Sequence, residues 1–204
     1  MAPFSILQAD QSYTFRSYFE MAFEPEDILA NLGHTLSVER LLLPKSAQPL
    51  AWANELQQRL ERTLQMVSLT SEQARRETLV APVLLEVAAH CKAQLRIEYP
   101  LTVSNWLKGT LDYLLRTPNY LVVVEAKNDD LTRGFTQLAV ELIALAQVQE
   151  ADVLYGAITI GDAWRFGLLD TAAKHITQDI ALHTVPDDLD QILSILIGIL
   201  EGQP

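Results

Sequence analysis

A short run of β-branched residues that ends in charge constrains the fold most strongly. Val122–Val124 predicts a strand, because β-branched side chains fit the pleated, buried surface of a sheet. Such an uninterrupted apolar run is typical of a central strand. Glu125 and Lys127 follow at once and share a face, since side chains alternate along a strand. Buried ionic groups cost free energy unless they are paired or bind a cation, so the end of this strand is a candidate site.

The composition supports a folded domain and sets the sign of the overall charge. The chain has 204 residues, of which 49% are apolar and 20% charged, enough for one domain with a sizeable core. Its 15 Lys and Arg against 26 Asp and Glu give a net charge of −11, which opposes nonspecific coating of DNA. Residues 71–135 nevertheless hold 8 of the basic residues, so a locally basic cleft is compatible with the acidic whole. The single cysteine, Cys91, excludes an internal disulfide framework and a thiolate-cluster zinc site.

The sequence has no pattern of a targeting or membrane segment. Residues 1–16 mix polar residues into the apolar ones and lack a basic leader followed by an apolar core. The longest apolar run, Ile192–Leu200, is far shorter than the roughly 20 residues that span a bilayer. We therefore expect a cytoplasmic protein that has no membrane partner.

Periodicity and turn residues predict the order of helices and strands. Residues 1–70 are expected to form a helical extension, with a helix over about 50–67, and Ser71 to cap a second helix that Pro82 kinks. Asp129 or Asp130 caps a helix to about Gln149, and a last helix follows Pro186. Strand patterns cover Leu95–Val103, Leu107–Leu115, Tyr120–Lys127, Val153–Ile160, Trp164–Leu169 and His175–His183. This order predicts an α/β fold with a mixed central β-sheet flanked by helices, residues 1–70 packing on a domain of residues 71–204 as one compact unit.

Two carboxylates on neighbouring strands form the main candidate site. Asp112 and Glu125 lie near the ends of an expected antiparallel pair, where they would repel each other unless a divalent cation lay between them. Mg²⁺ prefers one or two carboxylates, with water and phosphate as its other ligands. Lys127 would project into the same site, where it could hold or help to deprotonate an attacking water. A plain ion pair of Lys127 with Glu125 or Asp112 at a sheet edge is the alternative.

Two residues on helices extend this candidate site. Glu77 is in register with Val80 and Leu84 at helical spacing, so it is expected to point toward the sheet as an acid of the metal site. A helix-start acid, placed there by the helix dipole, is the alternative for Glu77. Gln137 lies on the helix after Lys127 and could hydrogen-bond the attacking water, although a Gln on an amphipathic helix is usually solvated.

These residues together resemble the PD-(D/E)XK, or restriction-endonuclease-like, nuclease superfamily. The resemblance rests on Glu77, Gly109–Asp112, Val123–Lys127 and Gln137, in this order, and covers about residues 71–170. It implies an αβββαβ core, with Asp112 and Glu125 as metal ligands and Lys127 as the catalytic lysine. It also implies that Glu77 is the helix acid of the metal site and Gln137 the helix glutamine of some branches. Leu111 stands where the proline of the motif's name would be, a position that varies in the superfamily.

The resemblance implies an enzyme, and the residues leave a second function open. The expected activity is hydrolysis of phosphodiester bonds by an endonuclease that uses Mg²⁺ or Mn²⁺, with DNA as the expected substrate and RNA as the alternative. A homodimer would join two copies of residues 71–135 into a basic groove. The alternative is a binding or regulatory protein that keeps the fold without cutting, which the net charge of −11 favours.

Overall fold

Eight strands within the described residues, 6–202, join into one mixed sheet in this computed structural model. The strands are β1 (Thr35–Glu39), β2 (Gln94–Thr102), β3 (Lys108–Arg116), β4 (Leu121–Ala126), β5 (Val153–Thr159), β6 (Ala163–Asp170), β7 (His175–Asp179) and β8 (His183–Thr184). Their order across the sheet is β1-β7-β6-β5-β4-β3-β2, and β8 pairs with β6 beside β7. The pairs β1–β7 and β4–β5 are parallel and the others antiparallel, so the predicted mixed sheet is confirmed.

Helices cover both faces of this sheet. They are α1 (Phe15–Glu20), α2 (Pro25–Asn31), α3 (Ala53–Met66), α4 (Glu72–Arg75), the π-helical turn η1 (Arg76–Val80), α5 (Ala81–Cys91), α6 (Leu131–Ala146) and α7 (Leu189–Glu201). Across residues 6–202, every helix is too short or too polar to cross a bilayer.

The valine run of β4 shows why the sheet needs two helical layers. Val122 and Val124 point into a core formed with α3, α5 and α7, whereas Val123 points into a second core formed with α1, α2 and α6. All three side chains are fully buried. Alternation along one strand therefore fills both faces of the sheet, and the molecule has three layers with the sheet in the middle.

The elements around the candidate site lie close to their predicted positions. β2, β3 and β4 form an antiparallel meander, α6 follows, and β5 returns parallel to β4. The Ser71 hydroxyl accepts the amide of Ala74 and thereby caps α4. The Asp130 carboxylate accepts the amides of Thr132 and Arg133 at the start of α6. Both caps agree with the sequence prediction.

Residues 1–70 are not purely helical, in contrast to the prediction. Thr35–Glu39 forms the edge strand β1 and pairs in parallel with β7. The segment is mostly exposed and has no strong alternation, so its strand state depends on pairing with β7, about 140 residues later. The predicted strand over 175–183 is also divided, because the ladder breaks after Asp179 and resumes at His183 as β8.

Candidate active site

A cleft of about 390 Å³ lies where β3 and β4 approach the helices α1, α4 and α6. Four of the five predicted site residues line this cleft: Asp112, Glu125, Lys127 and Gln137. A larger concavity of about 610 Å³ lies at the other end of the sheet, around residues 116–121 and 148–155, and contains none of the five. We take the smaller cleft as the candidate active site because it holds the predicted carboxylates and lysine together.

The antiparallel register of β3 and β4 brings the two carboxylates together. Tyr113 pairs with Val124, so Asp112 and Glu125 occupy the next positions across the two strands. Asp112 Oδ2 accepts the amide of Ala126 at 2.9 Å, which ties it to the end of β4. Both acids are buried, Asp112 at 9% exposure and Glu125 at 1%. The structure therefore brings the two acids together at one end of the β3–β4 pair.

Lys127 reaches into the same cleft and contacts Glu125. Its Nζ donates to Glu125 Oε1, and the residue is 9% exposed. Gly134, in the first turn of α6, lies against the lysine stem, where a Cβ would come within 3.0 Å of Lys127 Cγ. Burial lowers the pKa of Lys127, but Glu125 and Asp112 outweigh this effect and raise it overall. Lys127 therefore carries its proton, which favours a role as a donor over a role as a base.

Gln137 joins Glu125 to a third acid that sequence reasoning missed. Its Nε2 donates to Glu125 Oε1 at 2.6 Å and to Glu141 Oε1 at 2.9 Å. Glu141 is fully buried in α6, one turn beyond Gln137. A single acid in the apolar run Leu138–Ala146 is the signal in the sequence that could have found it.

Burial disfavours the charged forms of all three acids. It raises the pKa of Glu125 to about 8, with Asp112 adding to the effect and Lys127 opposing it. It raises the pKa of Asp112 as well, against the attraction of Arg76. The pKa of Glu141 lies well above its ordinary value through burial and the nearby Glu125. Without a cation, the site therefore holds fewer negative charges than carboxylates at neutral pH.

Arg76, rather than Glu77, points from the helix into the cleft. Its Nη1 lies 3.3 Å from Asp112 Oδ1, its Nη2 donates to Glu98 at 2.5 Å, and its guanidinium lies 5.1 Å from the Tyr113 ring centroid. Glu98 also lines the cleft and has a φ of +54° in the middle of β2. A positive φ is rare for a residue with a Cβ, and such strained backbone clusters at functional sites.

The prediction that Glu77 points toward the sheet is wrong. Glu77 is exposed and accepts a hydrogen bond from Gln73 at 2.8 Å. The cause is η1, in which the amide of Ala81 bonds the carbonyl of Arg76, five residues back. This wider turn precedes Pro82, which has no amide proton, and it shifts the helical phase between Glu77 and the buried Val80.

Glu72, one turn before Arg76, is the helix acid that lines the cleft. It is half-buried and follows the Ser71 cap directly. Sequence reasoning missed it because the uninterrupted α-helical spacing selected Glu77 instead.

The donors of the cleft suit a hard divalent cation. Asp112 and Glu125 offer carboxylate oxygens, and Glu125 Oε2 is buried with no hydrogen-bond partner among residues 6–202. Within the same residues, no three His, Cys, Asp or Glu side chains are grouped as a complete ligand set. Mg²⁺ commonly takes only one or two carboxylates and completes its shell with water and substrate phosphate. The residues present therefore fit a Mg²⁺ or Mn²⁺ of that kind, held by Asp112 and Glu125.

Comparison of the chain with protein-family models finds no match. Comparison with curated proteins also finds no significant match.

Proposed function

We propose that this protein is a metal-dependent nuclease that hydrolyses phosphodiester bonds in DNA. The observation that carries the proposal is the convergence of Asp112, Glu125 and Lys127 in one cleft, two acids and an ammonium on adjacent strands. A structural role alone gives little reason to bury this set, because buried ionic groups are often no more stable than apolar residues of the same volume.

We also propose that residues 71–170 form a restriction-endonuclease-like core. The order α5, β2, β3, β4, α6, β5 supports this proposal, as does the antiparallel meander followed by a parallel β5. Under this proposal β1 and β6–β8 extend the sheet beyond the core. A cytoplasmic location and a homodimer remain predictions from the sequence.

The proposed mechanism assigns each residue a distinct part. Bound Mg²⁺ or Mn²⁺ would polarise the phosphate oxygens and lower the pKa of a water. Asp112 and Glu125 would hold the cation, and Gln137 orients Glu125 through Oε1 so that Oε2 stays available. Protonated Lys127 would donate from Nζ to a phosphate oxygen and offset the negative charge that develops there.

The proposal is tested by cleavage of labelled single-stranded, duplex and branched DNA, and of RNA, with Mg²⁺ or Mn²⁺. Wild type should cut DNA, and Asp112→Ala and Lys127→Ala should each lose at least about a hundredfold in rate. Glu77→Ala is the matched control, since this exposed acid on the neighbouring helix should leave the rate within about twofold of wild type. A folded Asp112→Ala protein that cuts as well as wild type would contradict the assignment.

A non-catalytic binding protein is the second candidate function, and one observation favours it. Each carboxylate already faces a cation of the chain, Asp112 facing Arg76 and Glu125 facing Lys127, so the cluster is partly neutralised without metal. This candidate predicts that folded wild type cuts none of the substrates. A flat dependence of DNA binding on salt would then indicate a protein partner, because phosphate contacts make binding fall steeply with salt.

A further inference from the structure

We propose that the cleft accepts a single strand of DNA and excludes the intact duplex, with Phe19 stacking on a base beside the scissile phosphate. This inference rests on the proposed nuclease function, and it names the substrate class of that site. It is based on the wall that α1 builds over the cleft, on the depth of the reactive groups and on the position of Phe19.

Helix α1 forms a fixed wall of the cleft. Phe15 is buried against Gly109 of β3, where a Cβ would lie 2.7 Å from the Phe15 ring. The Tyr18 hydroxyl donates to the carbonyl of Trp106 at 2.7 Å. The amide of Tyr13 donates to the carbonyl of Asn105 at 2.8 Å. Contacts from α1 and from Tyr13 just before it thus anchor the helix to β3 and its preceding loop, and we treat α1 as a wall rather than a lid.

The reactive groups lie too deep behind this wall for a stiff duplex. Glu125 is 1% exposed, and Asp112 and Lys127 are each 9% exposed. The space in front of them is about 390 Å³, near the lower end of the roughly 300–1,000 Å³ typical of small-ligand pockets. Duplex DNA is stiff and must unpair and unstack a nucleotide to place it in such a cleft, whereas a single strand can turn one nucleotide inward without the cost of unpairing.

Phe19 lies where the base of that nucleotide would come. Its ring centroid is 5.2 Å from Lys127 Nζ, and the half-buried side chain lines the cleft. A phosphate held by the Lys127 ammonium therefore has an aromatic surface directly beside it. Stacking on aromatic rings is the main sequence-tolerant contact that proteins make with single strands.

The charge of the cleft also favours a single strand. Three basic side chains line it, and so do four acidic ones: Arg16, Arg76, Lys127, Glu72, Glu98, Asp112 and Glu125. Duplex DNA presents one negative charge per about 1.7 Å of axis, and a chain of net charge −11 has little to attract it. Stacking contributes affinity that does not depend on a basic surface.

Two assays test the inference with the full chain. The first compares cleavage of a labelled oligonucleotide in Mg²⁺ with cleavage of the same sequence as a blunt duplex. The second measures fluorescence anisotropy in Ca²⁺ with an oligothymidylate of about 12 nucleotides, within the site sizes of about 4–16 nucleotides typical of single-strand binding. The variants are Phe19→Leu, which keeps apolar bulk without an aromatic face, and Phe19→Trp, which keeps the face. Phe23→Ala is the matched control, since Phe23 is 47% exposed and lines a different concavity.

We expect wild type to cut the single strand at least about tenfold faster than the duplex. Phe19→Leu should lower single-strand affinity about tenfold, the usual effect of losing one stacked base, while Phe19→Trp and Phe23→Ala stay near wild type. Far-ultraviolet circular dichroism checks that each variant is folded. If Phe19→Leu does not fold, Phe19→Trp still tests whether an aromatic face at position 19 supports binding.

The remaining outcomes separate the proposed nuclease function from the proposed single-strand cleft. Equal cutting of the duplex, or a folded Phe19→Leu protein indistinguishable from wild type, overturns this inference and leaves the nuclease standing. Absence of cutting with Phe19-dependent binding of the single strand overturns the nuclease and supports the single-strand cleft. Neither cutting nor single-strand binding overturns both.

Discussion

At the scale of the residue, the site is unusual because two buried carboxyl groups, those of Glu125 and Glu141, share the side-chain amide of Gln137. Gln137 has two amide protons and gives one each to Glu125 and Glu141, so its nitrogen is fully used. Three oxygens around it, Glu125 Oε2, Gln137 Oε1 and Glu141 Oε2, are buried with no hydrogen-bond partner among residues 6–202. Glu141 is fully buried, so ionising it carries the full cost of desolvation.

This placement predicts how stability depends on pH. Glu141 ionises near its ordinary pKa when unfolded, but keeps its proton well above that pH when folded. The folded state then binds more protons, and the free energy of unfolding falls as pH rises from about 4.5 through the folded pKa. Glu141→Gln removes this loss, so its effect on the free energy of unfolding should be more favourable at pH 8 than at pH 5. Urea unfolding at the two pH values measures this difference.

The control for this prediction is Glu77→Gln, the same substitution at an exposed position outside the buried acid cluster. A Glu141→Gln protein whose gain is equal at both pH values would mean that Glu141 is ionised in the folded state.

At the scale of the element, the approach of α1 to β3 sets the shape of the cleft. Gly109 has a φ of +151°, which side chains with a Cβ rarely adopt. A Cβ there would also lie 2.7 Å from the Phe15 ring and 3.2 Å from the Phe15 amide nitrogen. The helix can therefore sit this close to the strand only while position 109 is glycine.

Gly109→Ala should consequently destabilise the fold and move α1 away from the cleft. We expect a loss of about 2–4 kcal/mol, since strain and steric overlap add. Gly33→Ala is the matched control, because Gly33 has a φ of +74° but open space where its Cβ would be, so strain alone should cost about 1 kcal/mol. Urea denaturation of both variants measures the difference. If both variants lose the same free energy of unfolding, the Phe15 ring moves aside for the new Cβ at no energetic cost.

Much of the candidate site follows from features at these two scales, and some of it does not. The alternation along β3 and β4 predicts that Asp112, Glu125 and Lys127 share a site, because side-chain direction along a strand follows from the backbone alone. The helix acid could not be predicted in this way. The π-helical turn η1 shifts the helical phase, and it turns Arg76 inward and Glu77 outward.

At the scale of the whole molecule, N-terminal segments of the chain pair with and pack against elements near its C-terminus. β1 pairs with β7, which adds residues 35–39 to the sheet. The amide of Ser46 donates to the carbonyl of Ser194 at 3.0 Å, and the Ser194 hydroxyl donates to the carbonyl of Ser46 at 2.8 Å. α1 and α2 also supply fully buried apolar side chains to the core over α6: Phe15, Tyr18, Ile28 and Leu29.

A chain that lacks residues 1–49 should therefore lose its cooperative fold. The deletion uncovers the β7 edge and one apolar face of α6, and losing even one buried aromatic side chain costs about 3–5 kcal/mol against a total stability of about 5–15 kcal/mol. Urea unfolding followed by tryptophan fluorescence and circular dichroism measures this. The full chain should give one coincident transition and the truncated chain none. A truncated chain with a steep transition at the same midpoint would show that residues 50–204 fold alone.

The sequence by itself determined the strands around the site and the side on which their charged residues lie, because both depend on local backbone geometry and on the alternation of side chains. Only the tertiary structure decided the strand state of residues 35–39, the burial of Glu141 and the placement of α1 over Lys127. Each of these depends on which distant segment packs against it, and that packing is set by the collapse of the whole chain rather than by any local pattern.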